Sequence, residues 1–76
     1  MKPIYETSDI VLAASLTVHG YSLQSIRLEG NKGVFIFEDV PKSFLDQYDV
    51  GQITVEPVAF NNAIKRLTTS VRRKLY

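Results

Sequence analysis

The stretch PVAFNNAIKRLTTSVRRKLY, residues 57–76, carries the clearest period in the chain. Phe60, Ile64, Leu67, Val71 and Leu75 recur at spacings of four, three, four and four, which stacks them along one side of an α-helix. At roughly 100° per residue, Lys65, Arg66, Arg72 and Arg73 fall in a sector about 120° wide on the opposite side, with Asn62 and Thr69 between them. One helix is therefore read with two faces, an apolar one that must be covered and a cationic one.

Working outward from that helix, 76 residues make one domain, residues 1–76, whose core is barely sufficient for its size. There is no cysteine, which excludes a disulfide framework and thiolate-bound zinc. Stability must come from packing a hydrophobic fraction of 45%, helped by four tyrosines and four phenylalanines, or from burying a face against a second copy of the chain. The start, Met1-Lys2-Pro3-Ile4-Tyr5-Glu6, lacks the apolar core of a signal peptide, and no run approaches the length of a membrane span. A soluble cytoplasmic protein with no membrane partner is the expectation.

A formal net charge of +1 conceals a polarised chain. All eight acidic residues lie at or before Glu56, whereas five of the nine lysines and arginines lie between Lys65 and Lys74. Positive charge on a helix attracts phosphate, acidic protein surfaces and anionic lipid alike, so its sign names a class of partners.

Taken in order, Ile4 to Thr7 reads as a short edge strand or an extended arm, and Thr7 or Ser8 as the cap of a first helix over residues 9–19, with Asp9 in its first turn. Gly20 suits the left-handed position that ends it. Ile10, Val11, Leu12, Ala13, Ala14, Leu16 and Val18 leave this helix apolar nearly all round, so it is sandwiched by the rest of the fold or shared between subunits. Leu23, Ile26 and Leu28 indicate a strand whose step of three marks a bulge. Gly30-Asn31-Lys32-Gly33 is turn material, and Val34-Phe35-Ile36-Phe37 follows as the second arm of a β-hairpin. Four apolar residues in succession call for cover on both faces, helices on one and a partner molecule as a candidate for the other.

Asp39 is read as the cap of a short helix over residues 41–48, with Pro41 in its first turn and Phe44, Leu45 and Tyr48 as anchors. Ile53-Thr54-Val55 alternates like a further strand before Pro57 opens the last helix. The expected fold class is α+β: a small antiparallel sheet built on the hairpin, with a long C-terminal helix and the order α-β-β-α-β-α, preceded by an N-terminal strand if Ile4 to Thr7 pairs.

No constellation in the sequence carries chemistry, and none points to a catalytic residue, cofactor or metal. His19 is the single histidine and is read as a residue at a helix C-terminus, where the dipole favours its charge. Glu38, Asp39, Asp46 and Asp49 do not match a calcium loop, and capping and solvation account for them. Gly30 and Gly33 lack the Gly-Lys-Ser/Thr of a phosphate loop and precede a strand, so a hairpin turn accounts for them. Lys32-Gly33-Val34-Phe35-Ile36-Phe37 resembles the aromatic strand of single-strand RNA-binding sheets, but the small residue between aromatics is missing. Core packing of Phe35 and Phe37 is the main reading, with a subunit interface and base stacking behind it.

Tyr5-Glu6-Thr7-Ser8-Asp9 leading into Leu12-Ala13-Ala14, then His19-Gly20-Tyr21, the Gly33-Val34-Phe35-Ile36-Phe37 strand and a closing Arg73-Lys74-Leu75-Tyr76 together resemble a family of small uncharacterised proteins of bacteria, phages and mobile elements. The resemblance covers almost the whole chain and implies a phage or mobile-element setting, with no activity or site residues to carry over. The expected function is a non-enzymatic accessory protein that binds DNA or RNA phosphates through Lys65, Arg66, Arg72 and Arg73. The alternative is an interaction or homodimerisation module, built on the sheet and first helix around Phe35 and Val11, that acts on a host, phage or replication protein.

Overall fold

The computed structural model describes residues 3–75, and Met1, Lys2 and Tyr76 lie outside them. Six elements follow in order: β1 (Ile4–Thr7), α1 (Ile10–Val18), β2 (Leu23–Glu29), β3 (Lys32–Glu38), α2 (Lys42–Asp49) and α3 (Pro57–Leu75). The fold is α+β, with a three-stranded antiparallel sheet in the order β1-β3-β2 and a long last helix.

The order differs from the sequence expectation at one element. Ile4 to Thr7 pairs as a strand, whereas Ile53-Thr54-Val55 joins no ladder. β1 and β2 occupy both edges of β3, which leaves no place beside the central strand for residues 53–55. The alternation there has another cause. Ile53 and Val55 turn partly inward while Thr54 faces out, and the Thr54 carbonyl accepts a hydrogen bond from His19 Nε2 at 2.8 Å.

The hairpin closes more tightly than the four-residue turn expected from its sequence. Glu29 pairs with Lys32, so Gly30-Asn31 alone makes the turn, with Gly30 at φ 65° in the first central position, as a type II′ turn requires. The register shifts between Leu23 and Ser25, which places the bulge where the apolar step of three put it. Opposite residues share a face, so Tyr5, Phe37 and Leu23 line up on the inner side with Thr7, Phe35 and Ile26 beside them. Phe35 and Phe37, 2% and 0% exposed, form the floor of the core.

The outer face carries its own cover. Arg27 sits opposite Val34 on β2, yet its guanidinium donates to both carboxylate oxygens of Glu6 on β1, at 2.6 and 3.3 Å, and to Glu29 at 2.9 Å. Neighbouring strands lie about 4.8 Å apart, so a side chain that links β2 to β1 must cross β3. Its aliphatic stem shelters Val34, which is 6% exposed although it points away from the helices. Val34 is thus covered within the chain, whereas Ile36, the other outward residue of the run, stays half-buried.

α1 lies at the centre, buried along Leu12, Ala13, Ala14, Ser15 and Leu16. It packs on the sheet and α3, and both its ends reach toward α2: Tyr48 Oη donates to Asp9 Oδ2 at 2.9 Å, and the His19 ring meets Phe44 edge-on at 5.2 Å. The helix is sandwiched by its own chain. Its cap is Asp9 itself, in place of Thr7 or Ser8: Asp9 Oδ1 accepts from the Val11 and Leu12 amides at 3.0 and 3.3 Å, while Thr7 Oγ1 accepts from the Asp9 amide. Gly20, at φ 92°, ends the helix as expected.

α2 begins one residue later than expected. Pro41 takes the cap position, and no side chain caps the helix. Asp39, expected there, has φ 60° and donates its amide to the Pro3 carbonyl, so it closes the β1 side of the sheet instead. In α3, Ala63 and Leu67 are buried, and Phe60, Ile64 and Val71 pack partly against the core. Leu75 remains exposed. The Glu56 carboxylate accepts from the Ala59 amide and holds the first turn.

Candidate functional site: the basic face of the last helix

Lys65, Arg66, Arg72 and Arg73 are all exposed, and Asn62 and Thr69 between them are exposed too. The amphipathic division read from the period is present in α3, with burial confined to the opposite side. Among the described residues the ion pairs are both made by Arg27, and none reaches Lys65, Arg66, Arg72 or Arg73. Glu56 is the nearest carboxylate in sequence. Nine residues at about 1.5 Å of rise separate it from Lys65, about 14 Å along the helix.

Part of this charge has a structural explanation. Arg72 and Arg73 lie in the last turn of α3, where cations complement the helix dipole. Arg66 borders a groove of about 300 Å³ with Thr17 and Val18, at the end of α1, whose last turn holds no basic residue. A helix C-terminus carries only about half a negative charge, so two such ends leave most of four cations uncompensated. Lys65 lies outside the last turn of α3 and does not line that groove.

Of the cations outside α3, none of which was part of the site read from the sequence, Arg27 and Lys32 bear on it. Arg27 is consumed by Glu6 and Glu29; the hydrogen bond from Arg27 holds the Glu6 carboxyl below its ordinary value, and the same contacts raise Arg27. Lys32 is exposed at the hairpin tip and lines a second groove, of about 200 Å³, together with Arg72. Its neighbour Gly33 lets α3 come close, and no local pattern in the sequence announces that contact.

The other residues considered for chemistry have structural positions. His19 bonds Thr54 and packs on Phe44. Among the described residues no group of three His, Asp or Glu is placed to hold a metal ion, and no helix is long and apolar enough to cross a membrane. Phe35, proposed as a dimer contact, is buried beneath the helices and is not on the outer surface; Val11, 46% exposed, is accessible. Comparison of the chain with protein-family models, curated proteins and solved structures gives no match.

Proposed function

We propose that the protein is a non-enzymatic accessory protein that binds nucleic-acid phosphates, with little sequence preference, through Lys65, Arg66, Arg72 and Arg73. The observation that supports this reading is exposed, unpaired charge: four cations share one helix face while the carboxylates of the described residues cap helices, pair with Arg27 or lie elsewhere. A phage or mobile-element setting in the cytoplasm belongs to the same proposal and rests on the sequence resemblance.

The test is fluorescence anisotropy with mixed-sequence single-stranded and duplex oligonucleotides over a range of salt. Affinity should fall steeply as salt rises and fall again in the Arg66→Gln, Arg72→Gln double variant. Affinity that responds to neither rejects the proposal.

A further inference from the structure

We propose that the nucleic acid taken by the basic face of α3 is duplex DNA, with the exposed crest of the helix laid in the major groove and a pair of cations set on the backbone of each strand. This inference rests on the phosphate-binding reading above and narrows it to one form of nucleic acid.

The four cations form two rows. Counted around the axis at about 100° per residue, Asn62 and Thr69 lie within about 20° of each other and make the crest of the exposed side. Lys65 and Arg72 lie roughly 40–60° to one side of Thr69, and Arg66 and Arg73 lie roughly 40–60° to the other. Within each row the two cations are seven residues apart, about 10.5 Å along the axis. All six of these residues are exposed, while Ala63 and Leu67 on the far side are buried. The crest is therefore uncharged and capable of hydrogen bonding, with positive charge on both flanks.

The distance between the rows selects the target. Side chains that reach about 6 Å beyond the roughly 2.3 Å radius of the Cα cylinder, in rows about 100° apart, hold their charges about 12 Å from each other. The major groove of B-form DNA is about 12 Å wide and admits an α-helix. A helix lying there meets a phosphate backbone on each flank and turns the Asn62 amide and the Thr69 hydroxyl toward the base edges between them. α3 contains no Asp or Glu to repel either strand.

The other forms of nucleic acid fit less well. The major groove of duplex RNA is too deep and narrow for side chains to enter. A single strand would follow one row and leave the other unused, and its bases stack on exposed aromatic rings. Among the described residues of α3 the aromatic ring is Phe60, which packs inward against the core.

The experiment measures fluorescence anisotropy of the full chain at one low salt concentration with duplex DNA that includes A·T tracts, duplex RNA and single-stranded DNA. Duplex DNA should bind about tenfold or more tightly than the other two. Methyl green, a cation that occupies the major groove, should displace the protein from it, whereas netropsin, a cation of the minor groove, should leave affinity within about twofold. Lys65→Gln with Arg72→Gln and Arg66→Gln with Arg73→Gln should weaken duplex binding by similar factors, since each pair removes the contacts to one strand. Duplex RNA or single-stranded DNA bound as tightly as duplex DNA, or netropsin competing as strongly as methyl green, overturns this inference and leaves phosphate binding standing. Binding to none of the three probes rejects both.

Discussion

Gly33 and Val71 approach so closely that a methyl group at residue 33 would lie 2.6 Å from Val71 Cγ2 and 3.3 Å from Cγ1. Gly33 is opposite Leu28 in the hairpin, and Val71 is four residues after Leu67 on the buried side of α3. This contact sets how near the last helix comes to the sheet. Gly33→Ala should therefore destabilise the fold by about 1–3 kcal/mol through overpacking against a branched side chain that has no flexible end to move. Urea denaturation measures it. The Gly33→Ala, Val71→Ala double variant should be more stable than the sum of the two single changes, because removing the Val71 methyls makes room for the new one.

The contact between Tyr48 and Asp9 gives a prediction about alkaline pH. Burial first, and then the hydrogen bond to Asp9, push the Tyr48 hydroxyl up to about 12 from an ordinary value of 10.0. Because its folded-state value is the higher one, its contribution to stability is complete below about pH 10 and is lost as pH rises toward 12. Tyr48→Phe should remove that part of the pH dependence. Tyrosinate absorbance, compared between the native chain and the variant, should show one group missing from the late end of the titration.

Replacing Asp9 with alanine removes both a helix cap and the acceptor of Tyr48. A lost cap is worth about 0.5–2 kcal/mol, and Asp9→Ala should fall in or above that range in thermal unfolding. Asp9→Asn, which keeps an oxygen for the Val11 and Leu12 amides, should recover most of it.

On the outer face, Arg27→Ala should lower stability more than Glu6→Gln does, since the arginine supplies both a pair of ion contacts and the cover of Val34. Uncovering Val34 should also increase binding of an apolar dye and the tendency to self-associate, read by light scattering. Equal effects of the two substitutions would mean that charge pairing, and not cover, is what matters there. Glu6 has a depressed carboxyl value, so its contribution is present above its usual titration range near pH 4.5 and disappears as pH falls through the lowered one.

For the basic face, four phosphate contacts to a single strand give a slope of about −3 in log affinity against log salt. Each of Lys65→Gln, Arg66→Gln, Arg72→Gln and Arg73→Gln should reduce its magnitude by about 0.7 while leaving thermal stability nearly unchanged, because all four side chains are exposed. Titrations of the four single variants measure both quantities.

The parts of this fold that were legible in the sequence are those decided by neighbours along the chain. α3, α1 and the hairpin follow from periodicity, a left-handed glycine and a turn, and even the bulge between Leu23 and Ser25 shows as a misplaced apolar step. The misassigned parts depend on distant residues. Residues 4–7 and 53–55 both alternate, and what separates them is which one reaches the edge of β3. Asp9 is the cap, with its second carboxylate oxygen held by Tyr48, 39 residues away. The same division applies to the site. The α3 cations share a face because the helix repeats, whereas Lys32 and Arg72 border one groove only because Gly33 admits the helix.

The placement of β1 also sets an order of assembly. β2 and β3 are joined by two residues and can zip as soon as both exist, but Ile4 pairs with Glu38 across almost half the chain, and the closure entropy of that loop must be met first. β1, made before the hairpin it joins, is therefore the last strand to enter the sheet. Until they arrive one side of the central strand stands bare, and Arg27 has no Glu6 to reach. The interval before that docking is when the nascent chain is most exposed to pairing with a neighbour.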